Sequence, residues 1–224
     1  MAAPLAGAHA VPVLATVAAK PNWLNVVAAT PEGGFRMGNP DARVKLVEYG
    51  SLTCPHCAHF YAEAMDKLKA NYIASGKVSY EFRNFVLNGP DYAATLLARC
   101  KGAPGFFPLA NAFFTKQSQW TEAFAHVAEA DSARLAGLAP DKQIAALAEI
   151  GKLDAFVAPL GINRAKFDAC LADKAASEKL LSMRKDAVET WKLTGTPGFI
   201  LNGKTQEGVL TWEALEPLLQ AALR

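Results

Sequence analysis

Apolar positions along this chain change their spacing several times, and each change marks an element. Val44 to Tyr49 is a β-branched and aromatic run of strand length, in which Val44, Leu46 and Glu48 share one side. Phe60, Tyr61, Ala64, Met65, Leu68 and Tyr72 then recur at three- and four-residue steps, which predicts one face of a helix running to about Ile73. Ser75-Gly76 ends that helix. Lys77 to Phe85 alternates again, with Val78, Tyr80, Phe82 and Phe85, and reads as the next strand. Strand, helix and strand in this order predict a parallel, right-handed crossover.

Upstream, Met1 to Pro21 is predicted to be flexible, Trp23 to Ala28 a strand, and Phe35 to Met37 a short returning strand. Turns at Thr30 to Gly34 and Gly38 to Asp41 separate them. Between Asn88 and Lys192 no strand pattern occurs. Helices are predicted over Asp91–Cys100, Leu109–Gln119, Asp141–Ile150, Arg164–Ala172 and Ala175–Trp191, with breaks at Gly102-Ala-Pro-Gly105, Ala139-Pro140 and Pro159-Leu-Gly161. The Ala-rich stretch Gln119 to Leu138 is poorly bounded and yields no element. Phe199 to Leu201 is a strand, Asn202-Gly203 a two-residue hairpin turn and Gly208 to Leu210 the return strand. Thr211 caps a last helix to Leu223, with a kink expected at Pro217. The chain is therefore an α/β protein: 22–87 and 193–224 form one domain, split by an all-helical insertion over 88–192, with 1–21 as an N-terminal extension.

At 224 residues, the chain is long enough for one large domain or for a domain carrying an insertion. Its 51% hydrophobic content lies at the upper edge of globular composition. A formal charge of +2 makes no electrostatic case for nucleic acid. No run of eighteen or more apolar residues reads as a membrane span; Met1 to Ala19 comes nearest and is interrupted by prolines, a glycine and a histidine. Its first ten residues are small and uncharged and end in Ala8-His9-Ala10, the pattern of a signal-peptide cleavage site. We read it as a signal-peptide remnant, the alternative being an Ala-rich terminus. Four cysteines, an even number, favour an exported protein in an oxidising compartment.

Two of those cysteines stand where a strand hands over to a helix, in Cys54-Pro55-His56-Cys57. A helix start concentrates unpaired N–H groups and the positive end of the helix dipole, which favours a thiolate at Cys54. Pro55 suits the first helical position because its missing N–H has no helical partner there. Cys57, one turn on, is expected to be more buried. One activated sulfur and one resolving sulfur is what thiol–disulfide exchange requires. His56, when charged, would stabilise the same thiolate. Half of a zinc site, completed by His59, is the rival reading; neither a second cysteine knuckle nor a spaced histidine pair supports it. Glu48 falls on an apolar row, so burial would raise its pKa and fit it to shuttle the Cys57 proton. Lys45 and Arg83 are the candidate basic partners for it. Cys100 and Cys170 are either two buried thiols or, in an oxidising compartment, a structural disulfide.

Cys54-Pro55-His56-Cys57 after a strand, Thr196-Pro197 before one, and an acid six residues ahead of Cys54 together resemble the DsbA-like branch of the thioredoxin superfamily. The resemblance runs from about Asn39 to the C-terminus, with the helical stretch matched in outline. It implies a thioredoxin fold with the helical insertion, a cis peptide at Pro197 packed against the cysteines, and a Thr196 backbone that pairs with an extended client peptide. It further implies a periplasmic oxidase that introduces disulfides into unfolded clients carrying free thiols, needs no cofactor or metal and is reoxidised by a DsbB-type membrane partner. Thr196 departs from the Val that oxidases of this branch often carry and matches the disulfide isomerases of the superfamily, so an isomerase or reductase of the same fold is the runner-up. A zinc- or peptide-binding module without turnover is the rival of another class. The short N-terminal segment lacks heptads, which points to a monomer.

Overall fold

A computed structural model describes residues 21–224; the N-terminal extension and its Ala8-His9-Ala10 pattern lie outside the described residues. Strands β1 (Val27–Ala29), β2 (Phe35–Met37) and β3 (Val44–Gly50) precede helix α1 (Pro55–Lys67) and strand β4 (Val78–Asn84). Eight helices follow: α2 (Gly89–Arg99), α3 (Gly102–Thr115), α4 (Gln117–Ala125), α5 (Glu129–Ala136), α6 (Pro140–Ile150), α7 (Leu153–Val157), α8 (Arg164–Leu171) and α9 (Lys174–Glu189). Strands β5 (Gly198–Leu201) and β6 (Lys204–Gln206) and helix α10 (Trp212–Ala222) complete the chain. One six-stranded sheet in the order β1-β2-β4-β3-β5-β6 organises all of it, with β3 and β4 parallel and the other neighbours antiparallel. This is a thioredoxin fold with a helical insertion between β4 and β5.

Local chemistry sets the boundaries. Asn88 caps α2 by accepting the Asp91 N–H at 2.9 Å, and Thr211 caps α10 by accepting that of Ala214 at 3.3 Å. Gly76 turns the chain after α1 at φ +75°, where a Cβ would meet the Trp23 indole at 2.4 Å, so only glycine fits. Four expectations need correction. Trp23 to Asn25 is a short 3-10 turn, because the Asn22 side chain accepts the Leu24 N–H, and the strand starts only at Val27. Gly102-Ala-Pro-Gly105 does not break the chain but forms the first turn of α3, where a proline lacks only an N–H that has no partner anyway. The return strand is Lys204–Gln206 and not Gly208 to Leu210: a two-residue turn places Lys204 directly opposite Leu201, and Gly208 at φ +71° ends the pairing. Gln119 to Leu138 holds most of α4 and all of α5.

The two sheet faces differ. Val44, Leu46 and Glu48 face the large core under α1 and α3, whereas Val47 and Tyr49 face a smaller cluster with Ala187 of α9. Aromatic rings bind the insertion to the sheet and to α1: Phe106 stacks on Phe35 of β2 at 4.3 Å, and Phe114 on Tyr61 of α1 at 4.8 Å. Cys100 at the end of α2 is joined to Cys170 of α8 in a disulfide, with 5.6 Å between their Cα atoms.

Candidate active site

Strand β3 ends at Gly50, and Ser51 to Thr53 carry the chain from the end of that strand to α1. Cys54 stands at the N-cap of that helix, Pro55 at its first position, and Cys57 on the inward face of its first turn. The two sulfurs are free thiols, with Cys54 6% exposed and Cys57 fully buried. Cys54 Sγ donates to the Thr196 carbonyl at 3.3 Å across a cis Thr196–Pro197 bond. Its pKa is lowered to about 5, chiefly by a hydrogen bond from Cys57, with further help from the N–H groups of Cys57 and His56 against the cost of burial. Burial pushes Cys57 well up, and its bond to Cys54 and the nearby Glu48 charge push the same way. The two sulfurs are thus driven apart, one toward a thiolate and one toward a thiol.

Glu48 lies beneath them, 1% exposed. Burial raises its pKa to about 8, even though the Tyr80 hydroxyl donates to Oε2 at 2.7 Å and so favours the charged form. Neither basic candidate reaches it. Arg83 alternates to the opposite face, where its Nε donates to Glu81 at 2.7 Å and Nη1 to the Tyr49 hydroxyl at 3.1 Å; Lys45 is exposed on that same side. The Tyr61 hydroxyl, four residues after Cys57 on α1, is buried with no partner among the described residues, and burial and then the Glu48 charge disfavour its ionisation.

The His56 side chain is exposed, so what the structure directs at Cys54 is the His56 backbone N–H. His59 is solvated and pairs with Glu63 at 3.2 Å. Among the described residues no group of three or more His, Cys, Asp or Glu is placed to hold a metal. Beside the cysteines a groove of about 560 Å³ opens, lined by Thr194, Gly195, Thr196, Pro197, Val209 and Leu210. The Thr196 hydroxyl is buried there without a partner among the described residues.

The thioredoxin family model matches residues 30–221, which is most of the chain. The chain belongs to the thioredoxin family. A Rickettsia bellii protein named for protein-disulfide oxidoreductase activity is 30% identical over 177 residues, 79% of this chain and 60% of that one. The chain thus spans about three-fifths of the length of such curated relatives. A crystal structure of a protein-disulfide isomerase from Novosphingobium aromaticivorans is 34% identical, with a TM-score of 0.80, covering 84% of this chain and 96% of that one. Wolbachia pipientis alpha-DsbA1, at 22% identity and a TM-score of 0.68, shares the fold over 88% of this chain and 93% of its own.

Three residues of this site escaped the sequence. Tyr80 was visible only as a strand aromatic. Asp91, fully buried, accepts the Leu52 N–H at 2.9 Å through Oδ1 and the Leu87 N–H at 2.9 Å through Oδ2. An Asn88-x-x-Asp91 cap was its one signal. Gln117 donates to the carbonyls of Leu52 and Cys54 at 2.8 and 3.0 Å, and no sequence pattern marks it.

Proposed function

We propose that the protein is an exported, periplasmic thiol–disulfide oxidase that introduces disulfides into unfolded clients bearing free thiols. The observation that carries the reading is the division of labour at α1: Cys54 at the N-cap is held near pKa 5 while Cys57, one turn in, is held as a thiol. In the oxidised form the two sulfurs are bonded. A client thiolate attacks Cys54 Sγ, the Cys54–Cys57 bond breaks, and Cys57 leaves, taking a proton that the neutral Glu48 acid is placed to give. The client's second thiolate then attacks its own sulfur in the mixed disulfide. Cys54 leaves as a thiolate stabilised by the helix N–H groups. The client is oxidised by two electrons and the enzyme reduced by two. A strongly stabilised Cys54 thiolate favours that direction, since it stabilises the reduced enzyme.

Thr196 and Pro197 form one wall of the groove where an extended client backbone would pair as an added strand. A DsbB-type membrane partner would restore the disulfide, and the enzyme would work as a monomer without cofactor or metal. Thr196 and the kinship to a protein named an isomerase favour a second reading, in which the same site is kept reduced and reshuffles disulfides. Two measurements test the proposal. Cys54 should be alkylated well below neutral pH while Cys57 is not. The couple's potential should lie on the oxidising side, toward the roughly −120 mV of DsbA itself rather than the roughly −270 mV of thioredoxin. A Cys54 that titrates near an ordinary thiol's value of about 8.5 would sink the oxidase reading.

A further inference from the structure

We propose that Gln117, in the helical insertion, is a positioning residue for the attacking sulfur. Its side-chain nitrogen donates to the Leu52 carbonyl at 2.8 Å and to the Cys54 carbonyl at 3.0 Å, so both amide protons are directed at the loop that carries the nucleophile. Two carbonyl partners require a donor, which fixes the orientation of the amide. The side chain is held from a rigid base. Gln117 opens α4, its own carbonyl accepts the Thr121 hydroxyl at 2.7 Å, and the buried Trp120 indole ties α4 to the Phe113 carbonyl of α3 at 2.8 Å.

The insertion thereby grips the Leu52 peptide from both sides, with Asp91 on its N–H and Gln117 on its carbonyl. At Cys54, Gln117 shares the carbonyl with the first helical hydrogen bond, from Ala58 N–H at 3.1 Å. The orientation of that carbonyl fixes the extended cap backbone, φ −78° and ψ 120°, which aims Sγ at the N–H groups of the first turn. Without the amide, that peptide gains freedom to rock and the thiolate loses part of its fixed hydrogen bonding. The Cys54 carbonyl oxygen would also lose a donor that draws its negative end away from the sulfur.

The inference rests on Cys54 as the attacking thiolate, which the wild-type titration tests separately. The experiment follows thiolate absorbance of the reduced protein against pH in the wild type, Gln117→Ala, Gln117→Glu and Thr121→Ala. Thermal unfolding of each variant is recorded alongside. The Cys54 midpoint should rise by about half a pH unit to one unit in Gln117→Ala, about the worth of one hydrogen bond. It should rise further in Gln117→Glu, where acceptor oxygens and a negative charge face the same two carbonyls. Thr121→Ala removes one contact of that base but neither amide hydrogen bond to the loop, and should shift the midpoint by much less than Gln117→Ala does. A wild-type midpoint in a folded Gln117→Ala or Gln117→Glu protein would overturn the inference, as would an equal rise in Thr121→Ala. If the alanine variant does not fold, the nearly isosteric glutamate variant decides the matter by the same readout.

Discussion

At the scale of single residues, the site works by keeping unlike neighbours in unlike protonation states. Cys54 gains from N–H groups and a neighbouring thiol, whereas Cys57 and Glu48 lose chiefly to burial. Tyr80 sets where Glu48 comes to rest. Its hydroxyl is the hydrogen bond that favours the carboxylate, so Tyr80→Phe should move the Glu48 pKa up from about 8. Carbon NMR of the Glu48 carboxyl in the reduced protein reads this directly, and an unchanged or lower midpoint would show that the bond has no such role. The stability consequence has a definite sign. Glu48 ionises near 4.5 when unfolded and near 8 when folded, so the native state binds the extra proton and is favoured most below pH 4.5. Stability drains away as pH rises from 4.5 to about 8. Glu48→Gln removes that dependence, and at neutral pH should stabilise the reduced protein by roughly 3 kcal/mol relative to its effect at pH 4.

At the scale of elements, much of what the hydrophobic pattern foretold is present, and the misses have physical causes. The β3–α1–β4 crossover was legible because Val44 to Tyr49 and Lys77 to Phe85 carry strand residues on either side of a clean helical stripe. Cys54 and Cys57 were legible for the same reason, since the strand-to-helix switch falls between Tyr49 and Phe60. Glu48 was legible from alternation, which places it in register beside Phe82 of β4 and on the same face as Leu46. The identity of its partner was not. Tyr80 reaches Glu48 diagonally across two strands, and charge complementarity pointed instead to Arg83, which the pleat turns to the other face. α4 and α5 were not legible because both are short and only Trp120 of the two is buried, so no apolar stripe announces them. Asp91 shows how an element boundary carries function. From the first turn of α2 it accepts two N–H groups, one from the active-site loop and one from the segment after β4. Asp91→Asn keeps one acceptor oxygen and turns an amide donor toward the other N–H. It should lower stability by about 1–3 kcal/mol, the cost of one buried unsatisfied N–H, as chemical denaturation would measure. A variant as stable as wild type would mean that the loop is held by other contacts.

At the scale of the molecule, the insertion and the sheet share one buried cluster. Phe106, Phe107, Phe113 and Phe114 of α3 lie in the same buried cluster as Leu46, Tyr80 and Phe82, and Gln117 and Asp91 reach the cysteine loop from the insertion side. The Cys100–Cys170 bridge closes 70 residues of the insertion, tying α2 to α8 well away from Cys54 and Cys57 in sequence. A closed loop of that length restricts the unfolded chain, and the chain-entropy account puts the stabilisation at roughly 4 kcal/mol. Replacing both cysteines by alanine should therefore lower the unfolding free energy by a few kcal/mol and the melting temperature with it. Because the sheet and insertion share a core, the loss should appear as one cooperative transition at lower denaturant, not as a separate early melting of the helices. The cysteine loop should be spared: Asp91 and Gln117 lie on α2 and α4, and the buried side chains of α2 and α3 pack into the shared core. The double variant should accordingly oxidise a dithiol peptide at the wild-type rate, with the wild-type Cys54 titration, at temperatures below its own transition. A separate helical transition would show that the insertion folds on its own. A shifted Cys54 midpoint in the folded variant would show that the bridge, and not side-chain packing, holds the insertion against the active-site loop.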